Sequence, residues 1–278
     1  MRCLVTGGTG FIGSELCRQL QSRGLEISST GREAPSPDQL ASTQLLYHCA
    51  GVAHQSASLA DHKQGNYLAV LDVAERAAAA GVGRFVFIST VKASAEGGPY
   101  AYWKWRAEQE LSQRYRNSAM SVVCLRPALV YGAGARANLN SLMRAVRRGM
   151  PMPPAGGARS MVGLPDLCDA LCQLLDIDPG HGTVLTITDG EAYDLRRIYL
   201  AIRRGLGKTP GRAWLPGWCW RLACGVLDLV RGNSAEQASY RKLFAPEQFS
   251  GGEARRLLQW QARDTLENLM PAMLAELD

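Results

Sequence analysis

The sequence predicts an α/β fold, a parallel sheet covered by helices on both faces, and three observations carry that prediction. The apolar run Cys3-Leu4-Val5 leads into Thr6-Gly7-Gly8-Thr9-Gly10-Phe11-Ile12-Gly13 and then into a helical stretch. Further apolar runs at 44–49, 84–88, 122–126 and 182–188 alternate with helical patterns. Strands buried on both faces read as such runs, whereas strands with a wet face alternate apolar and polar residues. Finally, Ala50-Gly51 and Ser89-Thr90 follow two of the runs. Small and hydroxylated residues are in place there, because open parallel sheets bind ligands at the carboxyl ends of their strands.

Taken in order, the first strand and the helix over 14–21 flank a turn whose glycines have separate tasks. Gly7 permits the tight turn, Gly10 lets a pyrophosphate approach the backbone, and Gly13 lets the helix pack on the strand. The helix end then offers free N–H groups and a positive dipole to the phosphates. Strand, turn and helix together read as a dinucleotide site of Rossmann type, with Thr6, Gly7, Gly10, Phe11, Ile12 and Gly13 against the cofactor. A second strand covers 25–30. An acidic residue about twenty positions beyond the glycines ordinarily holds the ribose 2′-hydroxyl of NAD. The chain instead has Thr30-Gly31-Arg32, with Glu33 next to it. Arg32 suits a 2′-phosphate, which favours NADP slightly over NAD, or it is an ordinary surface residue of the loop.

Residues 34–43, with Pro and Ser, are expected to form a loop. Where the strand over 44–49 ends, Ala50 and Gly51 let the cofactor lie against the backbone. The helix over 66–80 has Leu68, Leu71, Val73 and Ala77 at helical spacing. After the strand over 84–88 and Ser89-Thr90 comes Pro99-Tyr100-Ala101-Tyr102-Trp103-Lys104. Tyr100 and Lys104 share one helical face. A phenol with an ordinary pKa near 10 is a poor base at neutral pH. A neighbouring lysine and a cationic nicotinamide ring would favour its phenolate, which could then exchange a proton with an alcohol or ketone. Thr90 is placed to hold the same substrate oxygen. Thr90, Tyr100 and Lys104 are thus the catalytic set, and Tyr100 and Lys104 also border the cofactor. Tyr102 is the competing base, but it is two positions from Lys104 and faces away.

The strand over 122–126 ends at Pro127, beside the nicotinamide. Helices are expected over 137–149, 166–176 and 195–205, a proline/glycine loop over 150–157, and a last strand over 182–188. Trp214, Trp218 and Trp220 introduce an apolar helix running to Val230. It is read as packed on the second domain or on a dimer partner, with a membrane-surface element as the alternative. An amphipathic helix over 262–277 closes the chain.

The formal charge of +6 could point to nucleic acid, yet the basic pairs lie along predicted helices and form no tail. A solvated basic surface, favourable to an anionic nucleotide substrate, is expected instead. Eight cysteines without a Cys-x-x-Cys pair, and four dispersed histidines, make no metal set. Reduced cysteines, no leader and no membrane span together predict a cytoplasmic protein.

At this point the sequence resembles the extended short-chain dehydrogenases/reductases. Within them it is similar to the nucleotide-sugar epimerases and 4-keto reductases of bacterial surface-polysaccharide synthesis. The marks are Thr6-Gly7-x-x-Gly10-x-x-Gly13, 84–92, Pro99-Tyr100-x-x-x-Lys104 with Ala107-Glu108-Gln109, Leu125-Arg126-Pro127, and Arg159-Ser160-Met161-Val162. The resemblance implies a Rossmann domain over 1–127 and 161–190, and a smaller substrate domain over 128–160 and 191–278. It implies NAD(P)-dependent interconversion of a hydroxyl and a ketone at C4 of a UDP-hexose or UDP-N-acetylhexosamine. It implies substrate contacts from Lys92, Asn138 and Arg159, and a homodimer through the helices around 66–80 and 103–116. Two departures stand out. Only nine residues separate Thr90 from Tyr100, a shorter loop than in the relatives, and the region after the second strand is abbreviated. Val91-Lys92 stands where dehydratase relatives carry an acidic pair, so dehydration is not expected. The shortened loops keep a second reading open, a non-catalytic NAD(P)-binding scaffold or regulator.

Overall fold

The computed structural model describes the chain apart from residues 54–56, 136–137, 212–214, 232–238 and 278. Its strands are β1 (Arg2–Thr6), β2 (Glu26–Thr30), β3 (Leu45–His48), β4 (Arg84–Ile88) and β5 (Ser121–Pro127). They continue with β6 (Leu129–Tyr131), β7 (Arg159–Gly163), β8 (Thr183–Ile187) and β9 (Ala192–Tyr193). Six of them form one parallel sheet in the order β2-β1-β3-β4-β5-β8. The chain leaves β2 on one side of β1 and returns as β3 on the other. That reversal opens a crevice at the carboxyl ends of β1 and β3, where Thr6 pairs with His48.

Successive side chains along a strand point to opposite faces, and here both faces are covered. On one face Leu4, Leu46, Phe85, Phe87 and Val122 are buried with Val70, Ala74 and Ala77 of α4 (Ala69–Ala79) and Ala107 and Leu111 of α5 (Pro99–Arg114). On the other face the buried Tyr47 donates its hydroxyl to the Leu171 carbonyl at 3.0 Å, in α7 (Leu164–Gln173). Each large side chain so buried contributes about 1.5–3 kcal/mol relative to exposure. The buried Glu108 of α5 takes the guanidinium of Arg126, at the end of β5, with Nε at 2.9 Å from Oε1. This pair fixes the helix that bears Tyr100 against the sheet.

The chain divides into two compact units. The first contains Met1–Ala128, Pro165–Ile187 and Ser250–Gln261; the second contains Leu129–Leu164, Thr188–Phe249 and Ala262–Asp278. The boundaries drawn from the sequence differ at Ala128, which falls in the first unit, at 188–190, which fall in the second, and at two longer stretches. Residues 161–164 fall in the second unit because β7 pairs with β6 and β9, in a separate sheet. Residues 250–261 fall in the first because α11 (Gly252–Leu257) packs near β8, a long-range contact with no local signal.

Three element expectations are also corrected. The stretch 34–43 is not all loop: α2 (Pro37–Ala41) begins at Ser36, whose side chain and that of Gln39 cap each other's backbone amides. The first helix, α1, begins at Phe11 and runs to Ser22. The helix expected over 66–80 starts earlier, as α3 (Leu59–Lys63), and passes through a π-helical turn at Gln64–Leu68 before α4.

In the second unit α6 (Asn138–Arg147), α8 (Leu195–Gly205) and α12 (Leu266–Ala275) accompany the three-stranded sheet. Arg197 of α8 reaches Glu267 of α12 at 2.8 Å. Tyr131 and Tyr193 both donate to Asp189, each at 2.9 Å, and burial raises the pKa of that carboxyl.

Candidate active site

The glycine turn has the shape its sequence predicts. Gly7 has φ +70°, and a Cβ there would come within 2.7 Å of the Ala50 amide nitrogen. A Cβ on Gly13 would lie 2.2 Å from the Gly7 carbonyl oxygen. Gly10 precedes α1 and gives it no side-chain cap, and the first turn holds no acidic residue. The leading amides of α1 therefore face outward with their partial positive charge uncancelled, which is the donor set a pyrophosphate requires. The cradle fits a dinucleotide. The Gly13→Ala substitution is expected to shift the turn, cost about 1–3 kcal/mol by overpacking, and abolish cofactor binding in a fluorescence titration. Unchanged binding would disprove the role given to this turn.

Beyond the turn the site continues through backbone contacts. The Thr6 hydroxyl is buried and paired with His48 Nδ1 at 2.9 Å, so Thr6 serves the cradle through its backbone. His48 packs on Phe85 with ring centroids 5.8 Å apart, and burial, with Lys104 nearby, holds its imidazole down at about 3. It is a neutral prop under the crevice. Ala50 and Gly51 follow, and a Cβ on Gly51 would stand 3.2 Å from Lys104 Nζ and 2.9 Å from Asn66 Oδ1. A larger residue there would press on the lysine and on the Asn66 amide.

Lys104 is buried. Its ammonium donates to the Ile88 carbonyl at 2.8 Å and sits 4.6 Å from the centre of the Phe87 ring. Burial lowers its pKa to about 8, against the opposing pull of Cys49, Glu108 and Cys124. Tyr100 stands one helical turn away on α5, which begins at Pro99 after Gly98. Burial raises the Tyr100 phenol, and a hydrogen bond with the Thr90 hydroxyl works in the other direction. The lysine thus places its charge against Ile88 and Phe87, and the phenolate of Tyr100 is favoured by the hydrogen bond from Thr90. Ser89 is buried beside it with an unpartnered hydroxyl. Tyr102 turns to Trp103 and Trp105, with ring centroids at 5.0 and 5.9 Å, and so leaves the base position to Tyr100.

One residue in this site escaped the sequence reading. Asn66 sits in the π-helical turn, fully buried. Its amide accepts from the Val52 N–H at 3.0 Å and donates to the Val52 carbonyl at 2.8 Å, which locks the loop after Gly51. Its Nδ2 also faces His62 Nδ1 at 3.3 Å, and the His62 ring stands edge-on to Tyr100 at 6.1 Å. A polar residue beside Gly65 at the head of an apolar helix was the available signal.

The other predicted positions are less gathered. Arg32 is exposed after β2, while Glu33 folds back so that its carboxylate accepts from the Gly31 N–H at 2.7 Å. That bond, with the amides of Glu33 and Arg32, holds the carboxyl below its usual range. Pro127 is buried at the end of β5, and Lys92 is exposed two residues past Thr90. Asn138 opens α6 in the second unit, its side chain outside the described part. Arg159, also in the second unit, donates to the Leu243 carbonyl at 3.1 Å. Among the described residues no group of His, Cys, Asp and Glu could hold a metal ion.

A sequence model of the NAD dependent epimerase/dehydratase family matches residues 3–186. The chain is similar to a UDP-glucose 4-epimerase of Vibrio cholerae, 28% identical over 288 residues that take in 86% of this chain and 88% of the relative. It is also similar to a 4-hydroxy-2-methyl-3-oxo-4-farnesyl-3,4-dihydroquinoline-1-oxide ketoreductase of Stigmatella aurantiaca, 25% identical over 237 residues, 70% of either chain. Among solved structures, the UDP-glucuronic acid 4-epimerase of Bacillus cereus in complex with NAD superposes with a TM-score of 0.76 at 18% identity, covering 100% of this chain and 98% of that one. That last likeness speaks for the fold.

Proposed function

The chain belongs to the NAD dependent epimerase/dehydratase family, and on that footing we propose that it interconverts a hydroxyl and a ketone at C4 of a UDP-hexose or UDP-N-acetylhexosamine. It is an enzyme, as its relatives are, and the scaffold reading falls away. The observation that carries the proposal is the Thr90–Tyr100–Lys104 group at the carboxyl end of β4, one loop from the glycine cradle.

The nicotinamide of the bound cofactor supplies the hydride chemistry. Tyr100 moves the proton at the substrate oxygen, Thr90 holds that oxygen, and Lys104 lowers the cost of the phenolate and holds the nicotinamide ribose. The cofactor lies along Thr6, Gly7, Gly10, Phe11, Ile12, Gly13, Ala50, Gly51 and Pro127. Lys92, Asn138 and Arg159 contact the nucleotide sugar. The similarity to a UDP-glucose 4-epimerase over 86% of the chain favours epimerisation over a single reduction. The product then serves as a building block for a surface polysaccharide. The protein works as a cytoplasmic homodimer through α4 and α5.

The cofactor reading from the sequence is revised. The ionised Glu33 carboxylate lies over Gly31, a residue that the Thr9 hydroxyl also approaches. It would accept from a ribose diol and repel a 2′-phosphate, which favours NAD over NADP even with Arg32 alongside. The Glu33→Ala substitution is expected to shift the NAD-to-NADP affinity ratio toward NADP by about tenfold, the loss of one charge-assisted hydrogen bond. Paired titrations of both proteins measure it, and an unmoved ratio returns the choice to Arg32. The reaction itself is tested by mass spectrometry of the nucleotide released on heating and by turnover of UDP-sugars. Tightly held NAD(H) with interconversion of C4 epimers supports the epimerase. Cofactor consumed once per turnover makes the enzyme a 4-keto reductase.

A further inference from the structure

Helix α9 (Gly217–Arg231), in the second unit, wears its apolar residues on the outside. Trp218 is 62% exposed, Leu222 61%, Val226 63% and Leu229 83%. These positions recur at helical spacing and form one stripe along the helix. The opposite side faces inward through the buried Cys224 and the half-buried Trp220 and Asp228. The stripe is therefore a second apolar face beyond the one used for packing, larger than scattered exposed residues would give.

The charge of the chain is concentrated in the stretch of sequence that contains it. The stretch 203–242 has eight Arg and Lys against two Asp and Glu, so the whole net charge of +6 falls there. The other residues have 23 of each sign and are neutral in sum. Around α9, Arg221 is exposed and stands over the Tyr240 ring at 5.4 Å, and Arg241, in α10 (Ser239–Phe244), is exposed beside it. A second copy of the chain would bring the same cationic region against itself. An anionic bilayer meets both features at once: its headgroups neutralise the arginines and its acyl boundary receives Trp218, Leu222, Val226 and Leu229. No described helix is long and apolar enough to cross a membrane, and α9 at 15 residues can only lie in the plane. We propose that α9 docks the enzyme on an anionic lipid surface, peripherally, by this apolar stripe and its basic surround.

The test is flotation of the full chain with phosphatidylcholine vesicles, with and without about 30% phosphatidylglycerol, at about 0.1 M salt. The chain is expected to float with the anionic vesicles only, to be released at about 0.5 M salt, and to show a blue shift of tryptophan emission that the Trp218→Phe variant lacks. The Leu222→Glu/Val226→Glu variant, changed only at exposed positions, should bind about tenfold more weakly or worse, since it loses burial and adds two like charges. Its melting temperature and cofactor binding should be unchanged. Failure to bind anionic vesicles overturns the proposal, as does equal binding to neutral ones or full binding by the double variant. A dimer in sedimentation that the double variant dissolves, without vesicle binding, would assign the stripe to a second copy.

Discussion

The Tyr100→Phe enzyme is expected to bind cofactor as the wild type does and to turn over about 10²–10⁴ times more slowly, the usual share of acid–base catalysis. The substitution removes one oxygen and keeps the ring, so the edge-on contact with His62 and the start of α5 at Pro99 are preserved. What is lost is the proton carrier. Burial raises the phenol and Thr90 opposes it. A deprotonated Tyr100 at neutral pH therefore depends on the bound cofactor and on Lys104. Turnover in the oxidative direction should rise with pH up to the phenol's pKa in the complex, and the Thr90→Val variant should move that limb upward. The measurement is kcat against pH for the three proteins with a UDP-sugar, alongside cofactor titrations. Wild-type kcat in Tyr100→Phe would refute the assignment, and a loss of cofactor binding would recast Tyr100 as a binding residue.

Much of the first unit was legible because its signals are local. The run 84–88 is apolar at every position after Arg84 and became β4 with those bounds. The glycines of the turn are dictated by φ and by backbone contacts under 3 Å at Gly7 and Gly13, which only glycine tolerates. The placement of Tyr100 and Lys104 needed only the helical repeat. Other features arise from contacts between residues far apart in sequence. The role of Asn66 depends on a π-helical turn and on Val52, fourteen residues away, and residue spacing alone does not reveal either. Glu33 was visible next to Arg32, but its fold over Gly31 depends on three backbone amides that exist only once the loop has closed. The assignment of 250–261 to the first unit rests on packing at β8. The exposure of α9 was invisible for a similar reason: an apolar helix reads alike whether a neighbour covers one face or none.

Lys104 shows what the site costs the fold. Its pKa is pulled from an ordinary 10.5 to about 8 by burial, which means that the charged lysine opposes folding at pH 7 by about 3 kcal/mol. The Lys104→Met substitution removes that opposition and gives up the bond to Ile88, worth about 1 kcal/mol. The cofactor-free variant should therefore be more stable than the wild type by about 2 kcal/mol at pH 7, while its turnover falls with that of Tyr100→Phe. The pH dependence separates this from a general packing effect. Between about 8 and 10.5 the unfolded lysine binds more protons than the native one, so the wild type gains stability from this group as pH rises through that window. The methionine variant has no such gain, so its advantage of about 2 kcal/mol should close across the window and give way above it to a deficit of about 1 kcal/mol, the lost bond to Ile88. Urea unfolding of both proteins at pH 7 and pH 10.5 measures the difference. A destabilised variant at pH 7, or a constant offset between the curves, would mean that Lys104 holds the fold together by its contacts. An advantage at pH 7 that disappears by pH 10.5, with lost turnover, would mean that this buried charge is retained at the expense of stability, for the chemistry beside Tyr100.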